Sequence, residues 1–385
     1  MTPYLLVSGD FVTTGGMDRA NYAIASYLAR RGHTVHLVAH RADAFLAARP
    51  EVRVHNVPKP AGSYFLGGPF LDHWGRYWAR RISRAGGRVV VNAGNCAGKD
   101  VSWVHYVHSA YEPRVAGPWH RRVRRELMHR VFVRNERRYL RRARFVIANS
   151  RRTRDDLVAQ LNLSPDRVAV VYYGSDPERF RPSTPDERDE LRRSLGLPTD
   201  RPLVAFIGAL GDRRKGFDIV LSAWSRLCAD RRWDAQLVVV GTGAELPGWR
   251  ERIASEGLAD HVRFLGFRDD VPDLLRAVDG LVAPTRYEAY GLGVHEALCC
   301  GLPAFVSGRA GVAERYPPEL ADLLLPDPED VGGLAERLRK WREDPDAYRP
   351  ALDRLSVQLR ACTWDDMAAT IVKHIESVDG GNANR

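Results

Sequence analysis

Lysine is nearly absent from this chain of 385 residues: of 58 basic side chains, only Lys59, Lys99, Lys215, Lys340 and Lys373 are lysine. Positive charge therefore rides on guanidinium groups, which stay protonated and grip carboxylate or phosphate through paired N–H donors. Cysteine is scarce too. The five thiols, Cys96, Cys228, Cys299, Cys300 and Cys362, are odd in number, two are adjacent, and none has zinc-ligand spacing. That excludes a disulfide-stapled scaffold and a zinc finger, and predicts reduced thiols. No apolar run nears the ~18 residues that cross a bilayer. The opening "MTPYLLVSGD" lacks a basic segment followed by an apolar one, so no secretory leader is expected; the expected location is cytoplasmic, at most peripheral at the inner membrane face. Zinc-finger, RRM and helix-turn-helix patterns are missing, so nucleic acid is not an expected partner. Neither short tandem repeats nor low-complexity blocks occur.

What is present is a globular composition, 44% apolar, with a formal charge of +10. Such a charge draws anionic partners, nucleotides and phospholipid headgroups among them. The densest basic run, "RRVRRELMHRVFVRNERRYLRRAR" (121–144), spaces Val123, Leu127 and Val131 at helical intervals. It reads as a core-facing helix with a solvated basic back, with docking on an anionic membrane as the second reading.

Length predicts two domains. "PYLLVSG" (3–9) is an apolar strand, "DFVTTGG" a glycine-bearing loop, 17–31 a helix with Ala20, Ile24, Tyr27 and Leu28 on one face, and "TVHLVAH" (34–40) a strand again. This βαβ unit implies a parallel sheet. Further strands are expected at 52–57, 88–93, 101–107, 144–149 and 168–173. The segment 174–202, rich in Pro, Asp and Arg, reads as a connection. The pattern then restarts, with strands at 202–210, 235–243, 262–267, 280–285 and 303–308 and a helix at 216–229. The class is α/β, two Rossmann-like domains covering 1–180 and 181–360, and 361–378 reads as a terminal helix. Ligands of open α/β sheets sit outside the carboxyl ends of the strands, so the loops there are expected to line a cleft between the halves.

The stretch "RYEAYGLGVHEALCCGLP" (286–303) puts Glu288 and Glu296 on either side of a glycine turn. A helix from about 292 to 300 is expected, stopped by Gly301 with Pro303 beyond. Its exposed N–H groups and positive dipole end favour an anion, and Gly291 and Gly293 let backbone approach phosphate. One acid suits the vicinal hydroxyls of a sugar and the other those of a ribose, although acids near a helix start also serve as ordinary caps. "FIGALGDRRKGFD" (206–218) sets Arg213, Arg214 and Lys215 among Gly208, Gly211 and Gly216 at a strand's carboxyl end, where cations neutralise a pyrophosphate. "WVHYVHSAY" (103–111) places His105 and His108 three apart, on opposite faces of a strand, with His108 nearer its exit. "PKPAGSYFLGGPFLDHW" (58–74) offers Tyr64, Phe65 and Trp74 as sugar-stacking platforms or core. Asp344-Pro345-Asp346 reads as a surface turn, and no metal site is expected.

Together these motifs resemble the retaining glycosyltransferases of family 4. Glu288 through Glu296 match their E-x7-E, "VVYYGSDPERFRP" (170–182) their G-x-D-x-x-x-F-x-P junction, and "VIANS" (146–150), Gly15-Gly16 and "GALGDRRKGFD" follow in the same order. The resemblance implies a GT-B fold whose terminal helix, 361–385, crosses back to the first domain. It implies transfer of a hexosyl group from a nucleotide diphosphate sugar to a carbohydrate, lipid-linked or small-molecule glycoside acceptor, without cofactor or metal. Carried over by position, Glu296 binds ribose and Glu288 the donor sugar near its 3-hydroxyl. Ala289, Tyr290, Gly291 and Leu292 hold sugar and phosphate through their amides, and Lys215 and Arg214 clamp the diphosphate. The family's arginine after the strand glycine is Ala209 here, so Arg213 or Arg214 stands in. Gly15 and Gly16 belong to the loop that closes on phosphates and acceptor, Gly208 to the donor loop, and Phe267 and Arg268 meet the base. His108, with His105 as the other candidate, matches the histidine that contacts the 6-hydroxyl. A sugar-nucleotide epimerase or hydrolase, a PLP-dependent phosphorylase and a non-catalytic carbohydrate-binding protein are the alternatives.

Overall fold

The computed structural model describes residues 2–113, 119–211 and 213–380; Asp212 and the last five residues of the helix expected over 361–385 lie outside that set. The chain divides into two compact units, Met1–Glu112 with Ala116–Gly174 and Trp364–Arg385, and Pro113–Val115 with Ser175–Thr363. The division falls at Gly174, not 180, because Ser175 is tied to the second unit. Its N–H donates to the Cys362 carbonyl at 2.8 Å, and it bridges Thr363.

The first unit carries strands β1 (Tyr4–Val7), β2 (Asp10–Phe11), β3 (Val35–Ala39), β4 (Arg41–Ala42), β5 (Val52–Asn56), β6 (Arg88–Asn92), β7 (Val101–Val104), β8 (Phe145–Ala148) and β9 (Val168–Val170). Seven of them form one sheet, ordered β5-β3-β1-β6-β7-β8-β9 and parallel throughout, while β2 pairs only with β4. All four residues of β1 and of β7 are buried, as expected for parallel strands covered on both faces. The covering helices are α1 (Gly16–Arg30), α2 (Ala44–Ala47), α3 (Tyr64–Arg84), α4 (Trp119–Leu140) and α5 (Arg151–Leu161).

The second unit carries β10 (Leu203–Ile207), β11 (Gln236–Val240), β12 (Val262–Gly266), β13 (Gly280–Ala283), β14 (Ala304–Ser307) and β15 (Leu324–Leu325), a parallel sheet ordered β12-β11-β10-β13-β14-β15. Its helices are α6 (Pro185–Ser194), α7 (Phe217–Cys228), α8 (Leu246–Ser255), α9 (Val271–Ala277), α10 (Leu292–Cys299), α11 (Val331–Glu343) and α12 (Arg349–Arg360). Trp224, Phe206, Phe305 and Trp341 anchor its core, all at most 2% exposed. The last helix, α13 (Trp364–Gly380), belongs to the first unit. There Asp365 pairs with Arg30, the Tyr4 hydroxyl donates to Glu376 at 3.2 Å, and the Arg19 guanidinium lies over the Trp364 ring.

Two expectations are corrected and one helix is added. The connection 174–202 contains α6, started by Thr184, whose hydroxyl accepts from the Glu187 amide while the Glu187 carboxylate accepts from the Thr184 amide; this capping box begins a helix whose sequence is almost wholly polar. The segment 58–74, for which no element was expected, enters α3, where glycines allow close packing: a Cβ on Gly75 would stand 2.7 Å from Cys96 Sγ. On α4, the stripe read as core-facing is exposed, Val123 at 47%, Leu127 at 57% and Val131 at 42%. Glu136, Tyr139 and Leu140 near its end are the buried residues instead.

Candidate active site

Strand order in the second unit reverses between β10 and β13, the position at which doubly wound sheets open a ligand crevice. The loops leaving these two strands carry the expected cations and acid. Lys215 Nζ lies 2.5 Å from Glu288 Oε2, and Arg214 Nη1 lies 3.4 Å from the same oxygen and donates to the Tyr287 carbonyl at 3.1 Å. All three side chains are largely buried, 24%, 18% and 16% exposed for Lys215, Arg214 and Glu288. Burial opposes ionisation of Glu288, but the Lys215 ammonium and the Arg214 guanidinium outweigh it and hold the carboxyl below the usual range. The residues read separately as diphosphate clamp and sugar contact thus form one ion cluster.

Backbone geometry makes that meeting possible. Gly216 is the N-cap of α7 at φ 75°, and a Cβ there would sit 2.1 Å from the Pro284 carbonyl oxygen, so the basic turn can press on the β13 loop only with glycine. Gly208 is less confined, its Cβ position lying 3.3 Å from Lys215 Cγ and from the Phe206 ring. Helix α10 begins at Gly291, φ 108°, with no side-chain cap, which leaves its first N–H groups to a ligand. A Cβ on Gly293 would meet nothing within 4 Å, so that position faces open space. A small cavity of about 50 Å³ lies here, lined by Lys215, Glu288, Gly291, Leu292, Gly293 and Thr285 among others. Thr285 was missed in the sequence. It is 4% exposed, and its buried hydroxyl has no hydrogen-bond partner, an arrangement that normally points to an absent ligand or water.

The other expected residues take separate places. Arg213 is exposed and offers its carbonyl to Arg286, a second residue not foreseen. Arg286 is 7% exposed and clamps both Asp218 and Glu329 with paired N–H donors, fixing the loop that bears Glu288. Glu296 is 8% exposed, inside α10. Ala289 and Tyr290 are buried, and the Tyr290 hydroxyl meets His295 Nδ1 at 2.8 Å. Phe267 is 72% exposed just beyond β12, and Arg268 pairs with Asp270. Asp344-Pro345-Asp346 is the turn between α11 and α12, with Asp346 bound to Arg349. Among the described residues no group of three or more His, Cys, Asp or Glu is placed to hold a metal ion.

In the first unit, Gly15 at φ 79° caps α1 without a side chain, and Gly16 is its first residue. The two histidines do not sit on opposite strand faces, because β7 ends at Val104 before either is reached. His105 is 7% exposed, with Nδ1 at 2.5 Å from the Tyr173 hydroxyl; burial pushes its pKa down to about 3. It is a core residue. His108 opens a single 3-10 turn, stacks on Phe132 with ring centroids 5.1 Å apart, and is pushed down to about 4 by burial and by His129. That turn is held by Glu136, which sequence reading passed over as one acid in an arginine run. Its carboxylate accepts from the His108 amide at 2.7 Å and from the Ser109 amide and hydroxyl at 3.0 and 2.9 Å. Burial raises the Glu136 pKa, and these bonds oppose it. Glu136→Ala leaves three part-buried donors without their acceptor and is expected to destabilise the protein by about 1–3 kcal/mol in chemical denaturation; a change under about 0.5 kcal/mol would show that the turn does not depend on it.

Comparison with known proteins bears on both units. Residues 14–179 match the family described as Glycosyltransferase Family 4, and residues 187–355 the family described as Glycosyl transferases group 1. The 2-deoxystreptamine N-acetyl-D-glucosaminyltransferase of Streptomyces fradiae is 34% identical over 232 residues, 58% of this chain and 53% of that protein. The D-inositol 3-phosphate glycosyltransferase of Streptomyces bingchenggensis is 30% identical over 234 residues, 58% of this chain and 50% of that one. The chain thus spans about half the length of the curated relatives it matches. Among solved structures, WaaG, a glycosyltransferase involved in lipopolysaccharide biosynthesis, superposes with a TM-score of 0.76 at 20% identity, over 98% of this chain and 100% of that one. Anabaena Alr3699/HepE in complex with UDP and glucose gives 0.73 at 18% identity over 98% and 100%. These likenesses establish the GT-B fold. With both units matched in order, the chain belongs to the glycosyltransferases of group 1 and family 4.

Proposed function

We propose that this chain transfers a hexosyl group from a nucleotide diphosphate sugar to a hydroxyl acceptor, with retention of anomeric configuration and without metal or cofactor. The observation that carries the reading is the Lys215–Glu288–Arg214 cluster beside an uncapped helix start, where the strand order reverses. A departing diphosphate needs fixed positive charge, and Lys215, Arg214 and the first N–H groups of α10 supply it. In a front-face displacement the acceptor oxygen bonds to the anomeric carbon on the side from which the phosphate oxygen leaves. That phosphate oxygen takes the acceptor's proton. Glu288 contacts the donor sugar, Glu296 the ribose, and Phe267 and Arg268 the base, while Thr285 donates its unmatched hydroxyl into the small cavity. His108, neutral because its pKa is pushed down to about 4, serves as a hydrogen-bonding partner for a sugar hydroxyl.

Two of the relatives are named for 2-deoxystreptamine and D-inositol 3-phosphate, both polyhydroxylated six-membered rings, and this favours a small cyclitol-like acceptor over a lipid-linked glycan. The first unit offers suitable groups at the carboxyl ends of β1 and β3. Asp10 is 1% exposed; its Oδ2 accepts from the Tyr64 hydroxyl at 2.7 Å and from Arg41 at 2.8 Å, while its Oδ1 is buried without a partner. Burial and the Asp10 charge push the Asp18 carboxyl up to about 6. A cationic aminocyclitol needs that carboxyl ionised, so kcat/KM for such an acceptor should rise with pH through about 6, and the inflection should vanish in Asp18→Asn.

The test is a thermal-shift screen of UDP-, GDP-, ADP- and TDP-sugars followed by mass detection of glycosides. A donor at 100 times its Kd should add about 2.7 kcal/mol of stability. Binding accompanied only by hydrolysis or epimerisation of the donor, with no glycoside from any acceptor, would establish the epimerase or hydrolase reading instead. No binding of any nucleotide sugar would remove both.

A further inference from the structure

The first unit holds a larger recess, about 560 Å³ in volume, at the amino ends of β6, β7 and β8, the opposite edge of the sheet from the turn that carries His108. Six cations line it: Arg76, Arg80, Arg88, Lys99, Arg142 and Arg144. One carboxylate, Asp100, faces them, and its Oδ2 already accepts from the Val89 amide at 3.0 Å. Arg76 is committed to Asp72 at 2.9 Å. Arg80, Lys99 and Arg142 have no ion pair or side-chain hydrogen bond among the described residues.

The backbone that carries these cations is fixed. The Arg144 amide donates to the Lys99 and Asp100 carbonyls, both at 3.0 Å, which locks the two cation-bearing loops together. The floor of the recess requires glycine: a Cβ on Gly87 would stand 2.6 Å from the Pro3 carbonyl oxygen, and one on Gly98 2.6 Å from Val91 Cγ2. Six cations and one carboxylate in the lining make the recess positive, which favours an anion. Guanidinium forks bind phosphate oxygens in pairs. The volume exceeds what a single phosphate needs and falls in the range of sites for small multi-group ligands.

We infer that this recess is a second binding site, separate from any donor site, for an anion carrying clustered phosphate groups, whether a free oligophosphate or the headgroup of a phosphate-rich lipid. The inference does not rest on glycosyl transfer. The role assigned to the recess is recognition alone: its polar lining consists of the six cations, Asp100 and the Ser83 hydroxyl.

Calorimetric titration of the full chain with tripolyphosphate at low ionic strength tests it, carried out on a Lys215→Ala/Arg214→Ala background to weaken any contribution of the second unit's cations. Saturable binding that weakens at least about tenfold in Arg80→Ala/Lys99→Ala/Arg142→Ala, and persists in Arg80→Lys/Arg142→Lys, supports the site. All three side chains are exposed, so the ligand-free triple variant should melt with its parent; should it fail to fold, the three single variants, each expected to weaken binding, replace it. Co-sedimentation with phosphatidylcholine vesicles, with and without a phosphatidylinositol bisphosphate, separates the sources. Bisphosphate-dependent binding lost in the triple variant, without tripolyphosphate binding, assigns the headgroup. Binding of neither probe, or binding indifferent to the three substitutions, overturns the inference.

Discussion

Lys215→Ala is expected to lower kcat with a nucleotide sugar by about 10²–10³-fold, equivalent to roughly 3–4 kcal/mol of lost leaving-group stabilisation. The ammonium is three-quarters buried and 2.5 Å from Glu288, so it acts where water screens it little. Negative charge grows on the diphosphate as the glycosidic bond breaks, and a cation positioned beforehand stabilises that state more than the ground state. The loss should therefore fall on kcat more than on KM. Lys215→Arg should recover part of the rate, because charge returns although the guanidinium is wider and flatter than the ammonium. Arg214 alone cannot compensate: it lies 3.4 Å from the carboxylate and is also bound to the Tyr287 carbonyl. Unchanged melting would separate this effect from unfolding, and a rate within about threefold of the parent would remove Lys215 from the chemistry.

Much of the architecture was legible because parallel strands buried on both faces are continuous apolar runs. "LVAFI" at β10 and "QLVVV" at β11 leave little choice of element, and their observed ends differ from those expected by three residues or fewer. Helix α3 was hidden by Gly67, Gly68, Pro69 and Gly75, residues that argue against helix locally; at Gly67 and Gly75 the neighbouring His40 and Cys96 side chains leave no room for a Cβ. On α4 the spacing of Val123, Leu127 and Val131 identified a shared face correctly. Periodicity says which residues stand together, but not whether anything covers them, and this face is exposed. The candidate site shows the same limit. Glu288, Lys215 and Arg214 were each recognised from neighbours in sequence, yet their pairing spans 73 residues and depends on β13 lying beside β10. Strand order is not written in any local pattern. Thr285 and Glu136 escaped for a related reason: a hydroxyl without a partner and a carboxylate with three are properties of surroundings, and neither residue type at its position carries a signal.

Glu288→Gln is the second large effect expected, a fall in kcat of at least about 10²-fold. Glutamine keeps the shape but not the charge, leaving Lys215 and Arg214 without their acid. Diphosphate affinity should hold or tighten in this variant, since the anion no longer competes with a carboxylate for the ammonium. Stability gives an independent sign. The folded-state pKa of Glu288 is depressed below its ordinary 4.5, so the ionised pair contributes stability above that pH, and the contribution is lost as pH falls through the lower folded value. The parent should therefore lose stability below about pH 4.5 more steeply than Glu288→Gln does. Combining the two substitutions distinguishes what Glu288 does on its own from what it does through Lys215. If the acid chiefly orients the ammonium, Lys215→Ala/Glu288→Gln should turn over within about tenfold of the slower single variant, because the second substitution removes an interaction already gone. Losses that multiply would instead assign Glu288 an independent contact with the sugar and leave the orientation of Lys215 to the tight backbone at Gly208 and Gly216.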